Sequence, residues 1–114
     1  PPLKDFWNIK PTLYDPAVIK FDKPKNKKFD IVISIDVLEH VPLQDLNWVI
    51  NEILSFSRNI VFINVACYPA DIILEDGRNA HISLFPPMWW YGFITALSGK
   101  YNSKIFLVSV SIPV

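Results

Sequence analysis

The sequence predicts an α/β domain: a mostly parallel sheet in a three-layer helix–sheet–helix sandwich. Two runs, Phe29 to Ile35 and Asn59 to Val65, are rich in β-branched residues and apolar on both faces. Parallel strands buried between helical layers read this way. Between them lies a segment with helical spacing. A second helical segment and a third strand-like run follow, so strands alternate with helices. That order implies parallel pairing through right-handed crossovers.

Each element has a local reason. The first thirty residues are rich in proline and lysine, and Thr12 to Tyr14 is the one short strand expected there, stopped by Asp15-Pro16. A helix is expected from Leu43 to about Phe56. Leu43, Leu46, Val49, Ile50, Ile53 and Leu54 share one face, and Gln44, Asp45, Asn47, Asn51 and Glu52 fall mostly on the other. Pro42 suits its start, where a missing N–H costs nothing. A loop is expected from Cys67 to Phe85, with a short helical turn near Ile72 to Leu74. Pro86-Pro87 opens a helix from Met88 to about Ser98, and Gly99 follows as a natural stop. Lys104 to Ile112 forms the last strand.

Composition narrows the class. With 114 residues, 51% hydrophobic and 19% charged, the chain is one folded domain, spanning residues 1–114. The formal net charge is zero, which argues against broad attraction to nucleic acid or an anionic membrane. The lysines at 23, 25, 27 and 28 read as a solvated loop. Cys67 is the one cysteine, so an internal disulfide and a multi-cysteine zinc site are excluded. No apolar run reaches the ~18–20 residues that span a bilayer. The opening residues, Pro1 to Asp5, hold no signal-peptide core. A cytoplasmic protein is expected.

Ligands of open parallel sheets bind beyond the C-terminal ends of the strands. The residues just past the strands are Asp15, Asp36 to His40, and Asn64 to Tyr68. All three groups are candidates for the rim of one crevice.

The run Phe29-Asp30-Ile31-Val32-Ile33-Ser34-Ile35-Asp36-Val37-Leu38-Glu39-His40-Val41-Pro42 resembles the FDxVxxxxVLEHV signature of class I, Rossmann-like, S-adenosylmethionine-dependent methyltransferases. The resemblance implies a strand and its following turn, with S-adenosylmethionine as cofactor. It places Asp15 at the ribose hydroxyls, which a carboxylate with two acceptor oxygens can engage together. It places Asp36, Val37 and Leu38 beside the methionine half, and Glu39 and His40 in a turn at the active-site mouth. The stretch from Leu74 to Trp90 falls where the family carries substrate loops. Arg78, Asn79 and Trp89 are then the expected substrate contacts, and His81 or His40 the expected base. The implied reaction moves a methyl group to a small-molecule or sugar-type acceptor, chiefly through alignment and desolvation.

The chain also departs from that pattern. The family's glycine-rich cofactor loop precedes the ribose-binding acid by about twenty residues. Here fourteen residues precede Asp15 and none is glycine, the three glycines being Gly77, Gly92 and Gly99. Glycine is what lets backbone approach a nucleotide closely. The expectation is therefore a truncated or degenerate domain, weak or inactive in transfer, with an open sheet edge that invites a homodimer.

Plainer roles stand beside these. Asp15 can simply form a turn before proline, Asp36 can cap the turn after it, and Glu39-His40 can lock a loop by hydrogen bonds. Trp89 and its aromatic neighbours can simply pack on the sheet. The rival function is a non-enzymatic α/β interaction module that dimerises through its sheet edge. A metallohydrolase would need Asp36, Glu39, His40 and His81 to converge on one point, at ligand distances of ~2.0–2.2 Å, and no metal is expected.

Overall fold

The computed structural model describes residues 11–14 and 28–111. Among them, three strands form one parallel sheet in the order β1 (Phe29–Ile35), β2 (Ser57–Ala66), β3 (Lys104–Val110). Helix α1 (Leu43–Ser55) joins β1 to β2, and helix α2 (Pro87–Ser98) lies between β2 and β3. A 3-10 turn, Leu38–His40, links the tip of β1 to α1.

The elements form where apolar spacing and proline chemistry favour them. Helix α1 buries Leu46, Ile50 and Leu54, one stripe at intervals of four. It starts after Pro42 and ends where the Phe56 N–H is shared among the last carbonyls. Helix α2 follows Pro86 and carries Pro87 in its first turn, a position whose N–H has no partner in any helix. Gly99 does follow its last residue, but with φ −60°. The glycine therefore stops the helix without the left-handed turn that glycine usually supplies there.

Consecutive strand order with two crossovers of the same hand puts both helices on one face of the sheet. Val61, Ile63 and Val65 of β2 point to that face. They form the core with Leu38, Leu46, Ile50, Leu54, Trp90 and Ile94. Val32, Ile105 and Leu107 pack against it from the flanking strands.

The opposite face presents Ile31, Ile33 and Ile35 of β1 and Phe106 and Val108 of β3, each between 41% and 56% exposed. No helix among the described residues covers it. The apolar-on-both-faces pattern of β1 thus has a cover on one side only, and the described part is a two-layer structure. A single helix per crossover cannot shield both faces when the strands follow one another in order.

The remaining boundaries differ in small ways. Strand β2 begins at Ser57, two residues before the apolar run, because Phe29 and Ser57 already pair. Residues 11–14 carry no regular structure, so Thr12 to Tyr14 is not a strand. Instead the Tyr14 ring meets Phe56 edge-on at 5.4 Å. The expected helical turn near Ile72 is a bridge between Ile73 and Asn79, closed by Leu74 N–H donating to Arg78 O at 2.7 Å. Gly77 at φ +89° permits that reversal. No helix of the described residues is long and apolar enough to cross a membrane.

Ile50 is wholly buried at the centre of the α1 stripe. Ile50→Ala should cost about 2–5 kcal/mol in urea unfolding. Met88→Ala, at an exposed position on α2, should stay within about 0.5 kcal/mol. Equal effects would contradict this placement of the core.

Candidate functional site

The C-terminal ends of the strands meet the loop from Cys67 to Pro86, and most of the polar side chains of interest gather there. Strand β1 ends at Ile35, and the N–H of the next residue, Asp36, donates to Asn64 O at 3.1 Å. Asp36 holds φ 56°, the one non-glycine residue with positive φ among those described. A short polar residue tolerates that region best, and such backbone concentrates at functional positions. Asp36 and Val37 are exposed at the tip, whereas the Leu38 side chain is sealed in the core.

Glu39 follows and is fully buried. Its backbone carbonyl accepts Ser83 N–H at 3.0 Å. Its Oε1 accepts the Ala66 N–H from the end of β2 at 3.3 Å. Oε2 has no hydrogen-bond partner. His40 lies half-exposed beside it, with Nε2 3.8 Å from Oε2 and Nδ1 donating to Ala80 O at 2.9 Å. His81 is buried and its Nδ1 donates to Tyr68 O. The two imidazoles meet edge to face at 4.9 Å. Ser83 completes the junction by donating its hydroxyl to Val41 O.

Asn79 organises the loop that delivers His81. Its Oδ1 accepts the N–H groups of Ala70 and His81, both at 2.9 Å, and its Nδ2 donates to Ala70 O at 2.9 Å. The Asn79 amide is thus engaged with backbone. Arg78 points outward and pairs with Asp76, Nε to Oδ2 at 2.7 Å, both side chains exposed. The Arg78 N–H, and then its guanidinium, hold the Asp76 carboxyl below the usual carboxylate range. Trp89 is half-buried between Phe85 and Phe93, with ring centroids at 3.9 and 5.0 Å.

The site residues expected from the sequence therefore divide. His40 and His81 come together, Asn79 supports the second of them, and Asp36 with Val37 forms the open rim. Arg78 and Trp89 stand apart, engaged with Asp76 and with aromatic neighbours. Asp15 lies outside the described residues. Glu39 is the member whose weight the sequence understated. The signal was available: a lone acid in Val37-Leu38-Glu39-His40-Val41, where apolar neighbours imply burial.

Two concavities lie away from this rim. One of about 230 Å³ sits at the opposite end of the sheet, lined by Lys28, Arg58, Lys100 and Tyr101 among others. One of about 330 Å³ lies between α2 and β3. No family model, curated protein or solved structure matches this chain.

Two results test the site. Asn79→Ala leaves the Ala70 and His81 amides without their acceptor and should cost about 1–3 kcal/mol in urea unfolding; no loss would show that the loop is held otherwise. Burial first, then the Glu39 charge, pushes the Cys67 thiol up. Less thiolate then exists at neutral pH, so iodoacetamide should modify Cys67 more slowly than a free model thiol. Faster modification would contradict the assigned surroundings.

Proposed function

We propose that this chain belongs to an S-adenosylmethionine-dependent methyltransferase-type domain of Rossmann-like form, in which the β1 tip forms the wall beside the methionine half of the cofactor. One observation carries the reading. The stretch that resembles the family signature ends a parallel strand in an exposed Asp36 at φ 56°, followed by a 3-10 turn. That is where open α/β sheets bind ligands.

The described residues fit the cofactor in part. Asp36 and Val37 are open to a ligand, and Leu38 can contribute backbone alone, since its side chain is core. The described residues thus supply one wall, and the expected behaviour is weak binding with weak or no transfer. Within this reading the half-exposed His40 is the better placed base, its Nε2 free, while His81 is held behind it. Asp15 would take the ribose and Arg78 would meet an acceptor from the loop. The three-layer sandwich is part of the proposal too: a further layer over Ile31, Ile33, Ile35, Phe106 and Val108 would complete it.

The exposure of those five apolar residues favours a second reading, an interaction module whose bare face and open β1 edge pair with a second copy of the chain. Calorimetric titration and thermal shift with S-adenosylhomocysteine separate the two. Ligand at about ten times its Kd stabilises by roughly 1.4 kcal/mol. A clear shift that Asp36→Ala removes supports the cofactor reading. No shift at millimolar ligand, with a dimer that Ile33→Asp dissociates, supports the module instead.

A further inference from the structure

We propose that Glu39, His40 and His81 form a binding site for a divalent first-row metal ion of the zinc type. One ligand atom from each of the three lies within 4.8 Å of the other two. The hydrogen bonds decide which atoms are available. A backbone carbonyl has no proton to give, so His40 Nδ1, bonded to Ala80 O, must carry the hydrogen. The same holds for His81 Nδ1, bonded to Tyr68 O. Each neutral ring then keeps its lone pair on Nε2. Metal-binding histidines are oriented in this way, by donating the other ring N–H to a carbonyl or carboxylate.

Glu39 supplies the independent observation. It is fully buried, and Oε2 has no hydrogen-bond partner while Oε1 is held by the Ala66 N–H. A buried carboxylate oxygen left unbonded is costly. Oε2 faces His40 Nε2 at 3.8 Å, too far for a hydrogen bond and with acceptors on both sides. Acceptors turned toward one another call for a cation among them. Two imidazole nitrogens and one carboxylate oxygen are the donor set of a zinc-like ion, with a fourth position left for water. Ligand bonds of ~2.0–2.2 Å require the three groups to draw in slightly. His40, half-exposed, has the freedom to do so. Cys67 is not one of the three, so no thiolate is involved.

The site draws on the same His40 Nε2 that the adenosyl reading would use as a base, and its test uses metal alone. The whole chain, stripped with chelator, is titrated with Zn²⁺ by calorimetry and with Co²⁺ by visible absorption. The expected result is one ion per chain, with ligand-field bands of four-coordinate cobalt and no thiolate charge-transfer band. His40→Ala should lower affinity at least ~10–100-fold, the loss caused by removing even an outer partner of a metal ligand. Because His40 is half-exposed, that variant should keep the wild-type circular dichroism. Cys67→Ser should leave the cobalt spectrum unchanged. Absence of uptake would overturn the proposal and leave a proton between Glu39 and His40 as the cation. So would a spectrum indifferent to His40→Ala or dependent on Cys67. A result with S-adenosylhomocysteine, of either sign, does not bear on this outcome.

Discussion

A carboxylate removed from water must be bonded or neutralised, and the half of that demand that Glu39 meets through Oε1 shapes the whole tip of the sheet. Through its side chain it takes the last amide of β2, and through its carbonyl the amide of Ser83. These bonds tie the turn after β1, the end of β2 and the long loop into one junction. The imidazoles of His40 and His81 gather around the same carboxylate. The rest of the tip is built outward from this residue. Asp36 and Val37 are lifted to the rim because Leu38 and Glu39 are drawn inward on the next turn.

Among the described residues, the fold around the junction leaves one face of the sheet without a helix. Two right-handed crossovers in the same direction stack α1 and α2 together over β2, and the core is dense there. The other face keeps isoleucines, a phenylalanine and a valine in view of solvent. Apolar area of this kind is rarely left uncovered in a functioning protein. The described residues thus set a polar junction at the strand tips beside an apolar surface on the other face of the sheet.

Much of this was legible in the sequence, and the limits have physical causes. Strand β1 was readable to the residue, since a β-branched run bounded by Lys28 and Asp36 has no competing helical period. Both helices were readable because Pro42 and Pro86-Pro87 mark their starts. Residues 12 to 14 misled, because three strand-favouring residues are too short a run to fix a strand by composition alone. The side of the sheet left without a helix among the described residues was not visible either. Periodicity reports that both faces are apolar but not which residues cover them. His40 and His81 were recognisable singly as chemically capable. Their meeting was not, because it depends on Asn79 and Tyr68 shaping a loop through bonds to backbone, which leave no periodic trace. Glu39 looked like half of a turn motif; its apolar neighbours pointed to burial, but the amides of Ala66 and Ser83 that receive it left no trace in the sequence.

Amide hydrogen exchange tests this central role most directly. In Glu39→Ala, amides from Ala66 to Ser83 should lose protection, while those of α1, held by its own helical bonds and the Leu46–Ile50–Leu54 stripe, keep theirs. Unchanged protection across residues 66–83 would show that the junction stands without the buried carboxylate, and would contradict the account.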